Sequence, residues 1–375
     1  MRNRTMQRWW LGLALGLTCH AALAVEPDAD ASPSEMAWQQ RYQEALRLHL
    51  RGVASSGESR DLYAAAMLWP RDTEVSTVAE VVGMSPAAQV AVSKPLDERR
   101  LWLQQAVDAR PFDVLVARFV ASGCVEAGVE CDASRALDFL LKEEGDNAAV
   151  QLMAFVDAQR RHDAAAERRY WKAAAMADRY DAGMVAFSGL LADAVDGFVA
   201  PRAESDSQDR AQRNGEWAAA SSDPAQSGLT TAMSVWAGSA LPAFAPVTRQ
   251  CAQAKVREDA ERLEECKAIF ALMAHHADDL VSKSIALRMM MRLTEGTPQE
   301  LAWREEQRQL RWLMAQAMQL QHEGVVPLSQ FVEWSLRDGE LVANQRLLDI
   351  ANVPQTAPAG WQPQSLSEAV MSTSG

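Results

Sequence analysis

Between Phe112 and Ala200 the chain contains no proline, and between Val247 and Thr297 it contains none again. Ala, Leu, Met, Gln, Glu and Arg dominate these runs, and strand signals are scarce. Uninterrupted stretches of good helix formers fold as helices separated by short turns. Two boundaries carry explicit start chemistry. Ser32-Pro33-Ser34-Glu35 and Thr297-Pro298-Gln299-Glu300 each place a hydroxyl cap, proline at the first helical position and a glutamate able to reach back. Gly296 is a natural stop for the preceding helix. Apolar spacing agrees: Leu263, Cys266, Ile269, Phe270 and Met273 form one stripe, and Trp303, Leu310, Met314 and Ala317 another. The expected fold class is all-α, built from stacked helix-turn-helix hairpins with a second helical region.

Two segments break the pattern. From Pro201 to Gln226 the chain is polar, Ser/Asp-rich and aperiodic, as an exposed linker is. Asn352 to Gly375 is rich in Pro, Gln and Ser, as a loose tail is. The expected plan is therefore a signal peptide at 1–24, a flexible segment at 25–34 and a helical-repeat region at 35–198. A polar loop at 199–225, a helical region at 226–352 and a disordered tail at 353–375 complete it. Pro224 to Thr248 carries no charge, but Pro242 and Pro246 interrupt it, so a buried helix and an apolar loop fit better than a membrane span.

The first residues read as an address. Arg2, Arg4 and Arg8 precede the apolar run Trp9 to Thr18, and Ala22-Leu23-Ala24 supplies the small residues of a cleavage site. That order is the order of a secretory signal peptide, cleaved after Ala24, and it places the mature chain in the periplasm with no stable membrane insertion. Cys19 follows Leu17-Thr18, which is too bulky a pair for a lipoprotein acceptor.

Cleavage removes three arginines from a chain of formal charge −13 and leaves −16. Such a balance argues against a nucleic-acid partner, since phosphate binding is driven by clustered Lys and Arg. Cleavage also removes one of five cysteines, and the even number left suits disulfides in an oxidising compartment. Cys124 and Cys131 close a short ring around Gly128. Cys251 and Cys266 are harder to join, because one unbroken helix between them would hold them roughly 22 Å apart. Either the chain turns near Lys255 to Asp259 or the bonds cross; sequential pairing is the favoured connectivity. The spacings match no zinc motif.

An internal period is also visible. Arg99-Arg100-Leu101-Trp102 and Arg168-Arg169-Tyr170-Trp171 lie 69 residues apart, with Phe119-Val120 and Phe155-Val156 between them 36 apart. Periods of about 34 to 36 residues suit stacked helical hairpins. Ala166, Tyr170 and Ala173, within Ala166 to Leu191, fall at the small, large, small spacing of a second repeat helix. Over residues 98–195 the chain thus resembles the tetratricopeptide and Sel-like repeat families in degenerate form, with His162-Asp163 where a glycine turn is usual. The resemblance implies a protein-binding or scaffold role and brings no catalytic residues.

Residues that could carry chemistry each have a plainer reading. His275 and Asp279, four apart, could share a helix face and a metal, but no third ligand is in view. Gly83-Met84-Ser85-Pro86-Ala87 starts like a nucleophile elbow without its second glycine or its sheet. The pairs Glu143-Glu144, Glu264-Glu265 and Glu305-Glu306 point about 100° apart on a helix and read as solvated faces. Met289-Met290-Met291 sits among Ile285, Leu287 and Leu293 and reads as core. Trp102, Trp171, Trp303, Trp312 and Trp334 most simply pack helices. No catalytic residue, cofactor or metal ligand is expected. The expected function is an exported, non-catalytic interaction protein (adaptor, assembly factor or inhibitor) with an envelope partner of basic character. An envelope hydrolase with an unrecognised site and a small-ligand or metal carrier are the alternatives.

Overall fold

The computed structural model describes residues 33–70, 98–122, 132–202, 227–239 and 244–363. Residues 1–24, where a signal peptide is expected, Ser85, Cys124, Cys131 and nearly all of the segment expected as a polar linker lie outside the described residues. The described chain is all-α, with no strand beyond a single bridge between Asn147 and Arg179. Its helices are α1 (Pro33–Ala54), α2 (Ser59–Leu68), α3 (Glu98–Asp108), α4 (Val114–Ala121), α5 (Ala133–Glu143), α6 (Ala148–Arg160), α7 (Ala164–Ala175) and α8 (Met184–Ala194). They continue as α9 (Ser227–Gly238), α10 (Phe244–Gln250), α11 (Gln253–Val256), α12 (Ala260–His276), α13 (Leu280–Leu293), α14 (Pro298–His322), α15 (Leu328–Asp338) and α16 (Glu340–Ile350).

The chain forms two compact units, whose segments alternate along the sequence. One comprises Ala24–Ala133 and Leu190–Val235; the other contains Ser134–Gly189 and Trp236–Gly375. The sequence had suggested a linear division at the polar loop. Local hydropathy reports which face of a helix is apolar but not which distant helix covers it, so α5 to α7 could not be assigned to the C-terminal helices in advance.

In the first unit α2 is the central element, packed by α1, α3 and α4. Its run Leu62 to Ala66 is buried, because small residues let the neighbours approach closely. Trp102 stands edge-on to Trp69 at 4.9 Å. Arg99 is buried beside them, its Nε donating to the Ala66 carbonyl at 3.0 Å. Asp113 starts α4 by accepting from the amides of Leu115 and Val116.

In the second unit α6 pairs with α7, α7 with α12, α12 with α13, α13 with α14, α14 with α16, and α16 with α15. Aspartates write the starts: Asp163 accepts from Ala166 N, Asp259 from Arg262 N and Asp279 from Ser282 N. Each satisfies an amide the helix itself leaves unpaired. The Thr297 box is only half formed. Glu300 reaches back, but to Gly296 N at 2.8 Å, while the Thr297 hydroxyl donates to the Thr294 carbonyl. The core joins Phe155 and Trp171 to Ile269, Phe270, Met273, Leu287 and the buried Met289 and Met290. A second cluster gathers Leu313, Ala317 and Leu320 with Leu347 and Leu348. Met314, expected on that stripe, is exposed.

The Cys251–Cys266 disulfide is present, with Cα atoms 5.7 Å apart. The chain turns where it had to: α11 ends at Val256 and α12 begins at Ala260. Residues 353–363, expected to be loose, lie along α14. Trp312 Nε1 donates to the Pro354 carbonyl at 2.8 Å, Ala357 N to Gln309 at 2.7 Å, and Trp361 meets Trp312 edge-on. Proline withholds its own donor but leaves a carbonyl free, and side chains of α14 use it.

Candidate functional site

The second unit carries a groove of about 470 Å³ between α12 and α14. Glu264, Lys267, Ala268, Ala271 and His275 line it at the i, i+3, i+4, i+7 spacing of one face of α12. Gln299, Ala302, Trp303 and Glu306 do the same on α14, and Met290 of α13 forms the floor. Small residues on both walls keep the cleft open. Lys267 is tied to Glu264 at 2.8 Å, and the His275 ring leans on Trp303 with centroids 5.3 Å apart. Burial pushes the Lys283 ammonium down, against the pull of Glu306, and its Nζ donates to the Ala274 carbonyl at the end of α12.

Just beyond His275 the groove gives way to a junction of carboxylates. Helix α12 ends at His276, Ala277 is extended, and Asp279 caps the next helix. His275 and Asp279 therefore do not share a helix face, and the metal reading of that spacing fails. Among the described residues no group of three or more His, Cys, Asp or Glu could hold a metal ion. What gathers instead is a set sequence did not reveal. Glu340, in the first turn of α16, accepts from Leu280 N at 3.3 Å. Tyr180 and Asp181, in the loop before α8, complete the surroundings, and Asn147 holds that loop through Asp181 N and the Asp181 carbonyl.

Burial, then the charges of Asp279 and Asp181, pushes Asp278 up to about 6. Burial pushes Glu340 up to about 7, opposed by the Leu280 amide and aided by Asp279. The Tyr180 phenol is driven far up by burial and then by Asp279. The signal was half visible, as the adjacent Asp278-Asp279. Its partners lie 60 and about 100 residues away, a separation that no local pattern spans.

The remaining candidates are structural. Glu265 was expected in solvent, but it is buried and faces Arg168 at 3.5 Å. Glu305 is exposed, and Arg308 and Gln309 hold its carboxyl at about 2. Glu144 lies 3.6 Å from Arg179 and Glu143 is exposed. Trp102, Trp171 and Trp312 are buried, and Trp334 lies under the Arg346 guanidinium. Tyr170 is half-buried beneath Arg169. No helix among the described residues is long and apolar enough to cross a membrane. No family model, curated protein or solved structure matches this chain.

Proposed function

We propose that the mature chain is a periplasmic, non-catalytic interaction protein of the helical-repeat type, and that it receives a basic amphipathic helix of an envelope partner in the groove between α12 and α14. The groove carries the reading. Two helices flank a third that floors the cleft, which is the shape into which an amphipathic helix lays its apolar face. Trp303 and Met290 offer apolar surface, while Glu306 stands at one wall to meet a basic side chain. The Arg-rich start, the apolar run and Ala22-Leu23-Ala24 support export, and the mature charge of −16 favours a basic partner. Of the adjacent glutamates, Glu144, Glu264, Glu265 and Glu305 are engaged in ion pairs and Glu143 is exposed.

Replacing Ala302 by Trp fills the groove from an exposed helical position and leaves the core intact. Wild-type protein coupled to a matrix and offered envelope extract should retain a partner whose binding weakens from about 20 to about 150 mM salt. The Ala302→Trp protein, at unchanged melting temperature, should lose it. Equal retention of the same protein by both would overturn the groove reading.

A further inference from the structure

We propose that the junction between the α12–α13 link, the first turn of α16 and the loop before α8 is an acid-tightened latch, in which proton uptake fastens the α15–α16 hairpin and ionisation loosens it. It rests on the junction alone and does not depend on what the groove binds. The hairpin is docked at close quarters. Gly339, at φ +88°, sits where a Cβ would stand 2.8 Å from a Val185 methyl and 3.3 Å from the Asp278 carbonyl oxygen. The Ser188 hydroxyl donates to the Leu336 carbonyl at 2.7 Å, and the Leu280 amide to the Glu340 carboxyl.

Into this contact the fold brings carboxyls without counter-charges. Asp279 is 2% exposed; one of its oxygens takes the Ser282 amide and the other has no partner. One Asp278 oxygen is likewise buried and unpaired. The charged and titratable neighbours are already committed or carry no compensating charge. Asp181 faces Arg179 at 3.7 Å, Asp338 of α15 holds Arg346 at 2.9 Å, and Lys283 of α13 is tied to a carbonyl. His275 and His276 at the end of α12 are exposed, and Tyr180 is a buried neutral phenol. Among the described residues no cation pairs with Asp278, Asp279 or Glu340. Adjacent carboxylates in a buried site cannot all ionise cheaply, so they hold protons or move apart.

The sign follows. In the unfolded chain these acids ionise near pH 4. From there to about pH 6 for Asp278 and about pH 7 for Glu340, the folded chain keeps protons that the unfolded chain has lost. Stability therefore falls as pH rises through that window and levels off above it. Relief of net negative charge also stabilises at low pH, so the test compares wild type with Glu340→Gln, which keeps an acceptor for Leu280 and cannot ionise. The melting temperatures of the two proteins should lie closest at pH 4 and below. From pH 5 to pH 8 the variant should gain on wild type, by an amount reflecting a change of up to about a hundredfold in the folding constant. Hydrogen exchange, corrected for intrinsic rates, should show amides of 340–350 in wild type better protected at pH 5 than at pH 8, selectively within the unit. Parallel melting curves for the two proteins from pH 5 to 8 would overturn the latch. If Glu340→Gln does not fold, wild-type exchange decides: protection of 340–350 that does not change with pH overturns it equally.

Discussion

Truncating Trp171 separates two contributions that the structure superimposes at one side chain. The indole is 2% exposed, tilted against Phe155 at 5.0 Å, and sits in the core cluster with Ile269 and Phe270. Trp171→Ala removes that burial and leaves a cavity, at about 3–5 kcal/mol. The indole Nε1 is also buried without a hydrogen-bond partner, which costs about 1–3 kcal/mol in the native protein. Trp171→Phe keeps the six-membered ring, gives up on the order of 1–2 kcal/mol of apolar burial, and removes the unpaired donor. The two nearly cancel. In a unit of about 150–250 residues each kcal/mol moves the midpoint by about 2–4 °C. Trp171→Ala should thus lower the melting temperature by about 6–20 °C and Trp171→Phe by no more than about 4 °C. Scanning calorimetry on the oxidised mature protein reads both. A Phe variant as unstable as the Ala variant would show that the N–H contributes to stability. An Ala variant that melts like wild type would remove Trp171 from the core altogether.

Other outcomes follow from single features. The Cys251–Cys266 bond spans a separation of 15 residues, so a reductant or the double change to alanine should cost about 3 kcal/mol, seen as a lower denaturant midpoint. The two sulfurs are bonded to each other and buried, so thiol reagents should label neither residue until the protein is both unfolded and reduced. Gly339→Ala meets both a left-handed backbone and the Val185 methyl, and should destabilise by on the order of 1–3 kcal/mol. Adding Val185→Ala should recover only the contact part of that loss.

The helices were legible because their information is local. The proline-free runs become α4 to α8 and α11 to α13, and the stripe Cys266, Ile269, Phe270 and Met273 is buried as its spacing required. Disulfide reach left two readings open, a turn near Lys255 to Asp259 or crossed bonds, and the Cys251–Cys266 bond goes with the turn. What failed was whatever depends on distant partners. Asp279 reads equally as the end of one helix or the cap of the next, and only the extended Ala277 decides it. Glu265 looks like a surface glutamate until Arg168, 97 residues earlier, is placed beside it. The Pro-rich end looked loose because its order comes from Arg308, Gln309 and Trp312 on another element. The groove escaped notice for a similar reason: its walls are two ordinary amphipathic faces, and the opening exists only once α13 lies between them.

Site-specific photo-crosslinking in the envelope tests the central proposal most directly. A crosslinking side chain at Gln299 or Ala268 stands in the groove, and one at Glu143 stands on an exposed face of α5 in the same unit. The account predicts one discrete adduct from both groove positions, with a basic helical segment of the partner at the crosslink, and none from Glu143. Groove positions that yield no adduct, or the same adducts as Glu143, would contradict it.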